Sequence, residues 1–249
     1  MRVQRRIRLG IMSIILMGAV FMMYLNKPTG ERPARSTTEK IAGQPIAAYQ
    51  LGKSASGWRN GYGTQSDNQD TNSKNQPTRR LTKAAKSIVI YFSRSGSTEL
   101  LASKIAKQTD ADLLEIVVSK PYPGNYQKTL ARANSERESQ DFPELHMQVP
   151  SLKQYDTVYL GYPIWAMTLS HPMTAFLIKN GNQLTDKKIA PFMTEGGYGQ
   201  GDSVDRIKSI LKSDGASENQ FVSALVVDGN KVNQADKSIN VWVAKTQTN

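Results

Sequence analysis

The 249-residue chain contains no cysteine. That excludes disulfides, zinc–thiolate centres, iron–sulfur clusters and cysteine nucleophiles, and it leaves no thiol to receive a lipid. Freedom from cysteine fits a protein facing an oxidising exterior. Histidine is nearly as scarce: His146 and His171 are the two in the chain, too few for a metal cluster, and each reads as a surface or packing residue. Phosphate-binding glycine motifs are missing too. The turn Ser93–Thr98 contains neither Gly-x-x-x-x-Gly-Lys nor Gly-x-Gly-x-x-Gly, which argues against a nucleoside triphosphate and against a dinucleotide pyrophosphate.

Acidic residues are sparse in the first third. Residues 1–84 hold 14 Lys/Arg and 4 Asp/Glu, a net +10, whereas residues 85–249 hold 18 and 17, a net +1. The overall +11 therefore belongs to an N-terminal appendage. A nucleic-acid-binding domain carries its own basic face, so no nucleic-acid partner is expected.

Arg2, Arg5, Arg6 and Arg8 precede 17 uncharged residues, Leu9–Leu25. The pattern predicts a signal anchor or transmembrane helix over residues 1–26, because no Ala-x-Ala cleavage site follows the apolar run. It predicts a single pass through the cell membrane with the C-terminal domain outside. Residues 27–85 are rich in Gly, Ser, Asn, Gln, Lys and Pro. Such a stretch buries too little apolar surface to offset its ordering entropy and is expected to be a disordered polar linker, with a short local element near Ile46–Leu51 allowed.

From residue 86 to 249 the pattern changes. Apolar, β-rich runs at Ile88–Phe92, Asp112–Val118, Tyr155–Trp165, Lys187–Thr194 and Phe221–Val227 alternate with helical periodicity. This predicts an α/β domain with a doubly wound five-stranded parallel sheet in three layers. Ligands in such folds sit beyond the carboxyl ends of the strands.

Three strand ends carry unusual chemistry. The first runs into Ser93-Arg94-Ser95-Gly96-Ser97-Thr98 and then a helix, where unpaired N–H groups, the helix dipole and four hydroxyls suit one phosphomonoester. A capping role for the serines is the plainer alternative. The third ends in Gly161-Tyr162-Pro163-Ile164-Trp165-Ala166-Met167 and the fourth in Thr194-Glu195-Gly196-Gly197-Tyr198-Gly199-Gln200-Gly201. Trp165 and Tyr198 at these ends suit a planar heteroaromatic ring.

These three ordered motifs resemble the phosphate loop and the two ring-binding loops of the flavodoxin family, a likeness covering about residues 86–249. It implies strand order 2-1-3-4-5, the short-chain type, and noncovalently bound FMN. By that resemblance Ser93, Arg94, Ser95, Gly96, Ser97 and Thr98 hold the phosphate. Pro163, Ile164, Trp165, Ala166, Glu195, Gly196, Gly197 and Tyr198 flank the isoalloxazine, with Trp165 and Tyr198 sandwiching it. Ala166 stands where a second aromatic is frequent. No catalytic residue and no metal ligand is implied. The expected role is electron transfer with a redox protein or a quinone. Two alternatives remain open: an FMN-dependent NAD(P)H quinone or flavin reductase, and a cofactor-free surface interaction protein. A receiver-type signalling domain is excluded, because Ser93 and Gly161 occupy places that need carboxylates.

Overall fold

The computed structural model describes residues 36–53 and 78–248. The expected anchor over residues 1–26 lies outside them, as do 27–35 and 54–77 of the expected linker. Among the described residues no helix is long and apolar enough to cross a membrane.

The parallel strands are β4 (Ser87–Tyr91), β5 (Asp112–Glu115), β6 (Thr157–Trp165), β8 (Lys188–Glu195) and β10 (Leu225–Asp228). They lie in the order β5-β4-β6-β8-β10. Each central strand is buried on both faces, which its continuous apolar run requires. One face, including Val89, Tyr91, Leu113, Tyr159 and Phe192, packs on α1 (Ser97–Thr109) and α5 (Asp236–Thr248). The other, including Ile88, Ile90, Leu160 and Met193, packs on α3 (His171–Asn180) and α4 (Ser203–Ser213). The remaining helix, α2 (Tyr126–Ser139), lies beside α3.

The fifth parallel strand is interrupted. Its first piece, β9 (Gln220–Phe221), pairs with the start of β8, and β10 pairs with the end. Between them the Ser223 carbonyl accepts a hydrogen bond from Trp242 Nε1 of α5 at 2.6 Å.

Residues 27–85 were expected to be a disordered linker, and the described parts of that stretch are not. β1 (Ser36–Ile41) and β2 (Gln44–Ala47) form an antiparallel hairpin. Ile41, Ile46, Ala48 and Leu51 insert into the α1–α5 core. Burying the three larger side chains contributes at most about 5–8 kcal/mol, which offsets only part of the segment's ordering cost. β3 (Arg79–Arg80) adds antiparallel to β5 and covers what would otherwise be an open sheet edge. Thr78 N donates to Glu115 Oε2 at 2.9 Å, and Thr82 donates through N and Oγ1 to Asp112 at 2.9 and 3.0 Å.

Candidate functional site

At the end of β4 the chain turns through Ser93–Gly96 into α1. Gly96 is the N-cap, with φ +86°, and no side chain caps the helix. The first N–H groups of α1 have no intrahelical acceptor and keep their affinity for an anion. The loop hydroxyls divide into two kinds. Ser97 Oγ donates to Gly229 O at 2.8 Å, and Thr98 Oγ1 shares a 2.8 Å bond with Thr194 Oγ1. Both therefore tie the loop to neighbouring strands, so Ser97 offers an anion its backbone rather than its hydroxyl proton. Ser93 Oγ accepts from Gly96 N at 3.1 Å and keeps its own proton to donate. Ser95 is half-buried on the cavity wall, and Arg94 is buried there.

One turn into α1, Glu99 is 3% exposed. Burial, reinforced by the nearby Glu115 carboxylate, pushes its pKa up to about 8. It is thus neutral at pH 7 and does not oppose negative charge at the helix N-terminus.

The second loop follows Trp165. Ala166 and Met167, with φ of +48° and +65°, form a two-residue turn into β7 (Thr168–Leu169), which pairs back on β6. Two consecutive non-glycine residues in the left-handed region store strain. The turn is pinned by Asp202 N, which donates to Met167 O at 3.0 Å. Gly201 approaches the same carbonyl so closely that a Cβ would fall 1.7 Å from it. The Trp165 ring packs edge-to-face on Tyr122, Phe92 and His171, with centroid distances of 4.9, 5.8 and 5.7 Å. It is set by an aromatic cluster, more than the sandwich partner drawn from sequence requires.

In the third loop the Glu195 carboxylate accepts from Gly197 N at 2.5 Å and Gly199 N at 2.8 Å. Burial and a bond with Asp228 push its pKa up, while those N–H groups pull it down. Glu195 shapes the loop backbone around itself. Tyr198 stands at the mouth, 53% exposed.

Ser93, Arg94, Ser95, Ser97, Thr98, Pro163, Ile164, Trp165, Ala166, Glu195, Gly196 and Tyr198 line one cavity of about 300 Å³, within the range of small-ligand sites. Gly96 and Gly197 set the backbone behind its wall. An uncapped helix N-terminus at one end and aromatic side chains at the other fit a ring joined to a single phosphate. Several lining residues were not drawn from the sequence. Gln50 comes from the hairpin segment. Tyr126, Leu130, Ala133 and Arg137 form one face of α2, whose three apolar members are diluted in an otherwise polar helix and so give only a weak apolar signature.

His171, read from sequence as a surface or packing residue, is buried on the cavity wall. Its Nδ1 lies 2.8 Å from Glu136 Oε2. That carboxylate also accepts from Tyr122 Oη at 2.6 Å and Arg132 Nε at 2.7 Å. Burial pushes Glu136 up, but these three bonds outweigh it and hold the carboxyl below its usual value. No metal-binding group of three or more His, Asp or Glu residues occurs among the described residues.

The flavodoxin family model matches residues 86–245. No curated protein matches the chain. Among solved structures, a candidate flavoprotein from Bacteroides eggerthii is 24% identical with a TM-score of 0.53, covering 66% of this chain and 99% of its own. A second, from Bacteroides uniformis, is 25% identical with a TM-score of 0.52, covering 64% and 99%. A flavoprotein from Lactobacillus acidophilus, solved with FMN, is 24% identical with a TM-score of 0.49, covering 61% and 98%. The family match spans more than half of the sequence and includes all three loops. The chain therefore belongs to the flavodoxin family, and FMN is the cofactor that membership implies.

Proposed function

We propose that the chain is an FMN-dependent electron carrier held at the outer face of the cell membrane by Leu9–Leu25, exchanging electrons with a redox protein or a quinone. The observation that carries the reading is the convergence of the β4, β6 and β8 ends on one cavity with a helix N-terminus at one end and aromatics at the other. FMN supplies the redox chemistry when bound. The chain's own residues bind and expose it. The N–H groups of α1 with Ser93, Ser95 and Arg94 hold the phosphate. Trp165 and Tyr198 contact the ring, and Glu195 fixes the loop that carries Tyr198. Met167, 45% exposed, and Tyr198 border the mouth, so a partner reaches the ring edge without entering the protein. The near-neutral domain repels an anionic reduced cofactor less than an acidic one would.

The absorption spectrum of the full chain in detergent, offered FMN, tests this. A two-banded yellow spectrum with quenched flavin fluorescence supports it. A colourless chain that leaves added FMN fluorescent overturns it in favour of a surface interaction protein.

The Glu136–His171 pair favours a second reading, an NAD(P)H-dependent quinone or flavin reductase. With Nδ1 held by the carboxylate, the His171 ring belongs to the cavity wall, where a substrate proton could be exchanged. Steady NADPH oxidation with a quinone acceptor, lost in His171→Asn while FMN stays bound, would establish it.

A further inference from the structure

We propose that residues 44–53 form a clasp over the phosphate end of the cavity, selecting a ligand that terminates in a single phosphomonoester and slowing its release. This rests on the FMN reading and adds to it a recognition element outside the residues that the family model matches.

Five observations converge. Tyr49 N donates to Ser95 O at 3.2 Å, so the segment is bonded to the phosphate loop itself. The Ala47 carbonyl and Ala48 press against Gly96, where a Cβ would meet them at 1.9 and 3.0 Å. Beyond the loop, Gly52 N donates to Asn230 O at 2.9 Å and Asn230 Nδ2 returns a bond to Lys53 O at 2.8 Å. Gln50, 3% exposed, lines the same cavity as Ser93 and Ser95. Ile46, Ala48 and Leu51 pin the segment to the core from below.

The chemistry follows from what stands next to the phosphate. FMN ends there, whereas FAD continues through a second phosphate into adenosine. A continuing chain would meet the backbone of residues 47–50, which is stitched to the loop and to the residues after β10. The Gln50 amide adds a donor for a terminal phosphate oxygen. Riboflavin, lacking the phosphate, gains nothing from either contact.

The experiment titrates the full chain with FMN, FAD and riboflavin by flavin fluorescence and follows FMN release by stopped flow. Wild type is expected to bind FMN about 100-fold tighter than FAD. Ile46→Asp, which places a charge in the core under the clasp, is expected to narrow that gap about tenfold and speed FMN release about tenfold. Gln50→Ala leaves the clasp docked and is expected to weaken FMN about fivefold, one charge-assisted hydrogen bond, with riboflavin changed by less than about twofold. Unchanged FMN/FAD ratio and release rate in a folded Ile46→Asp overturn the clasp and leave the FMN reading intact. If Ile46→Asp does not fold, Gln50→Ala decides: equal weakening of FMN and riboflavin overturns the proposal. A wild-type chain that binds no flavin overturns the FMN reading and the clasp with it.

Discussion

The two ends of the cavity are built by opposite means. At the phosphate end the backbone is buried and cross-linked: Ser95, Ser97 and Thr98 are bonded to Tyr49, Gly229 and Thr194, from three distant parts of the chain. At the ring end, Ala166 and Met167 hold a strained turn, and Met167 and Tyr198 are exposed. Buried, satisfied polar contacts resist opening, whereas exposed strained loops sit at the low-stability end of a structure. On the carrier reading proposed above, the chain grips where the phosphate is kept and yields where electrons pass.

That contrast can be broken most severely at Gly96. Gly96→Ala demands φ +86° of an alanine and drives its Cβ to 1.9 Å from a backbone carbonyl. A loss of about 4 kcal/mol is expected from strain plus overpacking, read in urea melts, together with lost FMN quenching. Glu99→Gln probes the electrostatics of the same end. The wild-type carboxyl is raised from 4.5 to about 8, so the folded chain holds a proton that the unfolded chain releases. Wild-type stability should fall as pH rises from about 4.5 to about 8 and level off above. The variant should lack that slope and gain roughly 2–3 kcal/mol at pH 9 with little change at pH 4, since the amide recovers only part of the full shift. Melting temperatures across that range decide; an equal gain at both pH values would show that Glu99 is not held neutral.

Gly201→Ala tests the ring end with a clash as short as the one at Gly96, 1.7 Å from Met167 O. Because the exposed turn can shift, a smaller loss of about 2 kcal/mol is expected, with an altered flavin spectrum but phosphate binding retained. A loss exceeding that of Gly96→Ala would reverse the contrast. The smallest effect belongs to Ala166→Gly. Relieving φ +48° should stabilise the chain by about 0.5–1 kcal/mol in thermal melts; destabilisation would show that the turn stores no strain.

The parallel strands and their three loops were legible because buried strands must be apolar and phosphate turns need small or hydroxyl residues. What escaped has equally physical causes. The anchors of residues 36–53 are four apolar residues scattered through polar sequence, and their burial depends on a surface made by α1 and α5. β3 is two arginines whose backbone, rather than side chains, pairs with β5, so composition gave no sign of it. The His171 partner lies 35 positions away on a helix whose pattern reads as solvated. Trp165 was found, but its orientation depends on Tyr122 and Phe92, neither of which announces a site in sequence.

The bond from Asn230 to Lys53 spans 177 positions, and that separation bears on how the protein is made. Residues 44–53 emerge from the ribosome long before their partners after β10. At synthesis rates of about 5–20 residues per second, they wait roughly 10–35 s for the far side of the loop to exist. Contacts this non-local form late, after the sheet that organises them. The cavity is therefore finished almost at the last moment of folding, and a ligand caught earlier would have no closed end to hold it.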